Sequence, residues 1–553
     1  MIERIRFAFI ALAGLFLSLL PLGCGVPGPD GPPDTFGVDF SLPEGSITGG
    51  AIIFLVDGVN AATFNELLEA GELPAMKSYF ADRGLYVPRA AAGHTSLTMD
   101  NLVSITTGVF PGHHGLIGAK WFDRNRLTFR NYETLHDKNS LEENLHVPTI
   151  YEQFPGRLTF SLFLQPHKGS THFFENRISA GPAFLLYLYG LVDRIALNGF
   201  KTEMDIARQY RQFPAVTAIY QLAVNFAAYS HKASSQEYRQ AIRDMDYRFG
   251  RVLGDLKRAG MLDKVVIAFV ADHGHCDTPN HAKAVEYIES LGINLPTDAP
   301  VGEDKPFQDR VKHFHKFVGV QYGISDRYWA LWLRKPVTID GKQTWGPWLD
   351  RPTPEELRNY PTRLGKTDLP ALIVKQEWVD AVAYRVKPGV VRLVRKGGEV
   401  EFRRVPRAQG AAGPESLTYH VISGDDPLEW AARLPAKALA GEPMTDREWL
   451  EATAGTQFPD LGTGLLTAFE SDRIGDLSIY AAPGWDINGW RKAGHGGIRD
   501  VEMFSPMLIA GPGIPHGRIA VARTVDLVPT LLEALDKPLP PGLDGRSLIH
   551  WSP

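Results

Sequence analysis

Cysteine is nearly absent from these 553 residues; only Cys24 and Cys276 occur. Two cysteines cannot build a disulfide framework or a cysteine-rich zinc module. Neither sign of charge is in excess. Lysine and arginine total 58, aspartate and glutamate 63, and the formal net charge is −5. That balance argues against a basic surface spread over the protein, and no nucleic-acid-binding module is expected. Long hydrophobic runs are also scarce. Residues 7–22 form one, too short for a comfortable membrane span, and no second stretch reaches the roughly 18–20 apolar residues a spanning helix needs. Residues 183–192 are apolar but short and polar-flanked, and read as a core helix. What is present is ordinary globular composition, 44% hydrophobic and 22% charged, which excludes wholesale disorder. At roughly 100–200 residues per domain, the length implies two to four units.

The first residues carry a targeting pattern. Arg4 and Arg6 precede the apolar run, which ends in Leu20-Pro21-Leu22-Gly23-Cys24. A basic start, a short apolar stretch and a small residue before cysteine resemble a bacterial lipoprotein signal over residues 1–24, with Cys24 receiving the lipid. Pro21 departs from that pattern, where an aliphatic residue is usual. Residues 25–47 begin Pro/Gly-rich and suit an extended tether. The expectation is an exported lipoprotein, anchored to the membrane at the cell envelope through its N-terminal lipid. A plain cleaved signal peptide is the alternative.

Beyond the tether, residues 51–56 are a continuous apolar run closed by Asp57-Gly58. Residues 265–271 are a second, closed by Asp272-His273-Gly274. Both read as buried parallel-type strands with polar groups at their carboxyl ends. Helical periodicity over 235–259 precedes the second strand. Residues 477–481 and 506–510 read as further strands, and 525–535 as a short amphipathic helix. This alternation predicts an α/β fold, a mostly parallel sheet with helices on both faces. From 286 to 474 the chain is richer in tryptophan, proline and charge, and 382–405 alternates like antiparallel strands. This block reads as an inserted α+β cap domain, between catalytic-domain segments 48–285 and 475–553.

In open α/β sheets ligands bind beyond the carboxyl ends of strands. Asp57, Asp272 and His273 occupy such positions, and carboxylates with imidazole suit zinc or a similar divalent ion. Each alone is equally an Asp that caps a helix or organises a loop. A third segment carries Thr98, Asn101, Gly108, Pro111, His114 and Gly115. A hydroxyl at a helix start, with Asn three residues on, can be a nucleophile beside an oxyanion donor, and a metal is one way to activate it. The bland alternative is that Thr98 caps the helix.

Taken in order, Asp57-Gly58, the Thr98-to-Gly115 run, Asp272-His273-Gly274 and Gly494-His495-Gly496 resemble the alkaline phosphatase superfamily. They are most similar to its nucleotide pyrophosphatase/phosphodiesterase branch, over roughly residues 48–285 and 475–550. The resemblance implies an alkaline-phosphatase-like fold, two zinc ions, a phosphate-ester substrate and a threonine nucleophile. Carried over, Asp57, Thr98, Asp272 and His273 would hold one metal, and Asn101 would help bind phosphate oxygens. The second metal would take His495 and an Asp-x-x-x-His pair from the segment before the Asp272 strand.

That pair is where the sequence departs. If Ser230-His231-Lys232 matches the family's Gly-His-Lys, His231 is the ligand and Ala227 stands at the Asp. If Asn225 and Tyr229 set the register, the positions become Ser230 and Ser234. Either way an anionic ligand is missing. Asn225, or Asp277 with His281, are the candidates to compensate. Met99-Asp100 also replaces the family's usual Phe-Pro, and Asp100 would put negative charge near an anionic phosphate unless it faces away. His113 and His114 read as structural, Cys276 as a buried thiol. The sequence around Cys276 lacks the pattern of a sulfatase nucleophile. Trp329, Trp332, Trp345 and Trp348 could stack on a base or sugar but read as core, and Arg392, Arg395 and Lys396 as a solvated hairpin edge.

The expected function is therefore an exported metal-dependent hydrolase of phosphodiesterase/pyrophosphatase type. The alternatives are a catalytically degenerate, membrane-tethered binding protein on the same fold, and a phosphomonoesterase or phosphonate hydrolase of the superfamily.

Overall fold

The computed structural model describes residues 35–550, except 133–139, 297–304, 324–325, 407–414, 488 and 490. The signal, Cys24 and the first part of the tether lie outside the described residues. No helix among the described residues is long and apolar enough to cross a membrane.

The main sheet is built from β1 (Gly50–Val56), β2 (Leu85–Ala91), β3 (Thr159–Leu162), β4 (His172–Phe174), β5 (Val216–Gln221), β6 (Val265–Ala271) and β7 (Phe504–Ala510), with short edge strands Gly517–Arg518 and Ala522–Arg523. In space the order runs β2-β7-β6-β1-β5-β3-β4. The five strands from β6 to β4 are parallel, while β7 and β2 add an antiparallel flank. All seven residues of β1 are buried. Alternation sends Ile52, Phe54 and Val56 to one apolar cluster and Ala51, Ile53 and Leu55 to another, because successive side chains leave opposite faces of a strand. Burial on both faces is why the run is continuously apolar.

Helices cover the two faces. α1 (Thr98–Thr107) places Leu102 and Ile105 with the Ala51 side. α2 (Arg177–Leu185), α3 (Tyr189–Gln209), α4 (Ala223–His231) and α5 (Gln236–Arg258) follow in sequence. α5 buries Tyr238, Ile242, Met245, Phe249 and Val252, spaced to share one helical stripe. Phe249 meets Phe54 with ring centroids 4.3 Å apart. Each such ring, fully buried, contributes roughly 1.5–3 kcal/mol. Ser235 caps α5 by accepting from Tyr238 N, so the helix starts and ends within a residue of the expected 235–259. The expected α/β architecture is the one observed.

A second sheet of eight strands is antiparallel. Its order is Gly319–Gly323, Tyr328–Leu333, Leu477–Ala481, Val379–Lys387, Val390–Arg395, Gly398–Arg404, Ser416–Gly424 and Met444–Thr445. The strand at 477–481 therefore joins this sheet, not the parallel one. The basic hairpin lies inside the sheet, not at an edge; Arg392 pairs with Glu399 and Glu401, and Arg395 with Asp380. Trp329, Trp332 and Trp348 are core, and Trp345 stacks on Tyr360. The core helix expected over 183–192 is not found. α2 and α3 meet in a turn there, with Leu185 68% and Tyr187 62% exposed.

The two sheets are joined by a buried ion pair. Arg327 Nε donates to Glu502 Oε1 at 2.7 Å, and both side chains are at most 1% exposed. The remaining guanidinium nitrogens donate to the carbonyls of Ala481, Ala482 and Trp485. Removing one partner of such a pair strands a buried charge, a loss of about 3–5 kcal/mol.

His113, structural as expected, ties the turn after α1 to the C-terminal region. Its Nδ1 meets Asp544 and its Nε2 meets Glu470 at 2.6 Å. Burial disfavours the charged ring, but those two carboxylates outweigh it and raise its pKa from 6.5 to about 10. A raised pKa gives stability that is full below 6.5, falls as the pH rises, and is gone above about 10. His113→Gln should therefore cost about 2 kcal/mol at pH 6, as for hydrogen bonds to charged groups, and little at pH 10. Urea denaturation of both proteins at the two pH values measures this.

Candidate active site

Asp57 leaves the carboxyl end of β1, and Asp272-His273 leave that of β6. Because β1 and β6 are parallel neighbours, paired from Gly50 with Val265 to Val56 with Ala271, the following residues emerge side by side. Ligand atoms of Asp57, Asp272 and His273 all lie within 4.8 Å of one another, and all three residues are buried. Asp272 Oδ1 accepts from Gly58 N and from its neighbour His273 N, each at 3.0 Å. Asp57 Oδ2 accepts from Asn225 Nδ2 at 3.0 Å and from the Tyr220 hydroxyl. One oxygen of each carboxylate is thus held, and the other, Asp57 Oδ1 and Asp272 Oδ2, is buried without a partner.

His273 faces those two oxygens. Its Nδ1 lies 2.9 Å from the Gly274 carbonyl, so Nδ1 carries the proton. Its Nε2 is 3.3 Å from Asp57 Oδ1, 3.4 Å from Asp272 Oδ2 and 3.0 Å from Thr98 Oγ1. Burial pushes the Asp272 carboxyl upward, and Asp57 adds to it. Burial opposes the charged His273 ring, but Asp272 and Asp57 raise it nonetheless. The atoms share a space that needs positive charge, either protons or a cation. The donor set, two carboxylates and an imidazole oriented by a backbone carbonyl, fits a divalent metal such as zinc.

Thr98 is the first residue of α1 and half-buried, so its hydroxyl is reachable. Ser96 is not: its hydroxyl donates to Gly497 O and accepts from Gly496 N. Asn101 belongs to the same turn, but its amide points at its own loop. Nδ2 donates to Thr95 O and Leu97 O, and Oδ1 accepts from Gly93 N. It shapes the loop that presents Thr98, whereas a phosphate-binding role was expected. Asp100 faces away from the metal-ligand cluster, accepting from Gly118 N, and burial drives its carboxyl well up, toward the neutral form.

His231 does not reach the site. It is exposed at the end of α4, 4.0 Å from Glu237. Ala227 packs against the apolar core, Ser230 is exposed, and Ser234 bonds Asp277 at the surface. His281 is an exposed neighbour of Asp486. None of these supplies the ligands sought in the sequence. The residues of α4 that face the site are Asn225 and Tyr229. They are four apart, hence on one helical face, with Ala227 turned about 200° from Asn225. The Tyr229 hydroxyl is 2.6 Å from His495 Nε2, while His495 Nδ1 is 2.8 Å from Ser96 O. Asn225 Oδ1 accepts from His275 Nε2 at 2.6 Å. His495 stacks on His273 with centroids 3.7 Å apart. Burial, then the neighbouring His273, push the His495 pKa well down, so the ring is neutral.

Position 58 requires glycine. Its φ is +72°, and a Cβ there would lie 2.6 Å from His275 Nε2 and 3.0 Å from Asn225 Oδ1. Two further residues, missed in the sequence, hold the frame. Tyr238 of α5 donates to Gly58 O and accepts from Asn60 N. Asp193 of α3 accepts from Leu222 N at 2.9 Å, ahead of α4, and pairs with Arg248. No local sequence signal marked either one.

Residues 51–313 match the type I phosphodiesterase/nucleotide pyrophosphatase family. Over this span the resemblance carried by the motifs holds. An uncharacterised pyrophosphatase/phosphodiesterase of Schizosaccharomyces pombe is 24% identical over 239 residues, 42% of this chain and 45% of that protein. The chain thus spans less than half of that relative's length. The phosphodiesterase match includes Asp57, Thr98, Asn101, Asp272 and His273, and it includes α4, where the pairing with His495 differs from the pattern. His495 lies beyond it.

Proposed function

We propose that the protein is an exported, metal-dependent phosphodiesterase/pyrophosphatase-type hydrolase with Thr98 as nucleophile. One observation carries the reading. Two unpartnered buried carboxylate oxygens, the His273 Nε2 and the only half-buried hydroxyl of the Thr95–Thr98 turn converge beyond parallel strands β1 and β6. Asp57, Asp272 and His273 would hold zinc, with Thr98 beside it. A divalent ion there would neutralise phosphoryl oxygens and lower the pKa of the hydroxyl.

The chain's own residues supply position and field. Thr98 Oγ gives up its proton to solvent and attacks phosphorus, the new O–P bond forms as the ester O–P bond breaks, and the leaving alcohol or phosphate takes up a proton from solvent. The positive end of the α1 dipole faces the phosphate oxygens. Gly274 O fixes the His273 tautomer, and Asn101 fixes the loop. Water then cleaves the phospho-threonine.

A second reading has its own observation. The residues that α4 presents to the site, Asn225 and Tyr229, are neutral and hydrogen-bonded to Asp57 and His495, which favours a tethered protein that binds phosphate esters without efficient turnover.

Metal analysis of Asp272→Ala should show less zinc than the wild type; equal content would refute the metal assignment. On a chromogenic phosphodiester, Thr98→Ala should lose on the order of a hundredfold or more in kcat/KM while retaining metal. Undiminished activity rules Thr98 out as nucleophile. A wild type that binds metal yet turns over no diester supports the binding reading.

The localisation is likewise a proposal, supported by the run ending at Cys24. A Cys24→Ala variant should leave the membrane fraction. Membrane-bound variant or soluble wild type would overturn the lipid anchor.

A further inference from the structure

The resemblance implies two metal ions, and the two halves of this site differ in their fitness for one. At Asp57, Asp272 and His273 two carboxylate oxygens have no hydrogen-bond partner, and the Nε2 that faces both meets the hydroxyl of Thr98 at 3.0 Å, a group the same reading places beside the metal. At His495 they are engaged. Its Nδ1–H donates to Ser96 O at 2.8 Å, which leaves Nε2 as the acceptor, and the Tyr229 hydroxyl donates to that nitrogen at 2.6 Å. A metal at Nε2 would have to displace a buried hydrogen bond.

Tyr229 is itself fixed on three sides. Its carbonyl accepts from Lys492 N at 3.1 Å, its ring lies under the Arg491 guanidinium at 3.8 Å, and its hydroxyl is the one on His495. The other member of the helical pair, Asn225, is spent in the same way. Its amide nitrogen donates to Asp57 and its oxygen accepts from His275. Neither group carries negative charge. Arg491 is paired with Asp326 at 3.1 Å, so the new ligands offered to a second dication are all neutral, and neutral donors do not compensate the desolvation of a dication.

The geometry points to a mononuclear centre. One ion binds at Asp57, Asp272 and His273, and Asn225, Tyr229 and His495 form a hydrogen-bonded plug where a second ion would sit. This rests on the reading that Asp57, Asp272 and His273 hold a metal. The plug has a second use: Asn225 and Tyr220 occupy Asp57 Oδ2, so only Oδ1 is left to face an ion. Asp57 is thereby restricted to a single ligand atom and cannot bridge two ions.

The test is stoichiometry. The full chain, in detergent and stripped with a chelator, is titrated with Zn²⁺ alone and followed by native mass spectrometry. The wild type should saturate at one ion per chain. His495→Ala should also bind one, because His495 is not a ligand. Asn225→Asp combined with Tyr229→His creates an Asp-x-x-x-His pair on the face of α4 toward the site and should bind two. Two ions on the wild type, falling to one in His495→Ala, overturns the mononuclear centre while leaving the metal reading intact. No ion on the wild type overturns both. A folded double variant that still binds one overturns the assignment of the plug to these residues. If the double variant does not fold, the wild type and His495→Ala decide.

Discussion

Asp57 Oδ1 and Asp272 Oδ2 are buried without hydrogen-bond partners and face one imidazole nitrogen, an arrangement that a folded chain tolerates only with positive charge between them. Isolated buried carboxylates are among the costliest groups a protein interior can hold. The surroundings concentrate that cost in one place. The opposite oxygen of each carboxylate is satisfied, by Asn225 and Tyr220 or by two backbone N–H groups. Much of the local structure serves this: two parallel strands end together, Gly58 lets the backbone pass close beneath His275, and Tyr238 clamps the turn from below.

The second sheet is tied to the same point. Arg327 stands at its start, and Glu502 receives both that guanidinium and Gly497 N, just after His495. Glu502 O accepts from Gly274 N, just after His273. A single buried carboxylate residue therefore bonds beside both histidines that stack in the site. Tyr480, from the strand at 477–481, reaches His94 at 2.7 Å, at the head of the loop that carries Thr98. The strand at 477–481 thereby brings the second sheet into contact with the loop that carries Thr98. Changes there would act on Thr98 through the backbone of residues 93–97.

The legible part of this protein was what repeats locally. Continuous apolar runs marked β1 and β6 to within a residue, and a 3.6-residue stripe marked α5. Asp57, Asp272 and His273 follow directly, since they are the first polar groups past buried strands. The strand at 477–481 was visible as a strand, but its sheet is chosen by partners 100 and 150 residues away, which periodicity does not report. Residues 183–192 show the opposite limit. Their apolarity suggested a core, yet a turn between two helices leaves Leu185 and Tyr187 in solvent. Asn225 is among the candidates to compensate, but Tyr229 enters the sequence reading only as a register marker, because nothing in its residue type marks it as a partner of His495. Helical phase was the usable signal. Asn225 and Tyr229 share a face with buried Val224 and Ala228 beside them, whereas Ser230 and His231 fall to the solvent side.

Charge balance ties Asn225 to Tyr229. Both are neutral, so α4 brings no negative charge to a second cation, and the lone pairs that face them take up protons: His495 Nε2 that of Tyr229, Asn225 Oδ1 that of His275, and Asp57 Oδ2 those of Asn225 and Tyr220. A partly satisfied buried network costs more than an apolar replacement, while a satisfied one specifies a single arrangement. Around His495 both ring nitrogens, the Tyr229 hydroxyl and the Asn225 amide are engaged, with the Nδ1 of neighbouring His275 left without a hydrogen-bond partner, whereas beside His273 the unpartnered groups are two carboxylate oxygens. The two regions meet at adjacent rings 3.7 Å apart, so the open carboxylate oxygens lie on the Asp57–Asp272–His273 side and the hydrogen-bonded groups of α4 and His495 pack against it.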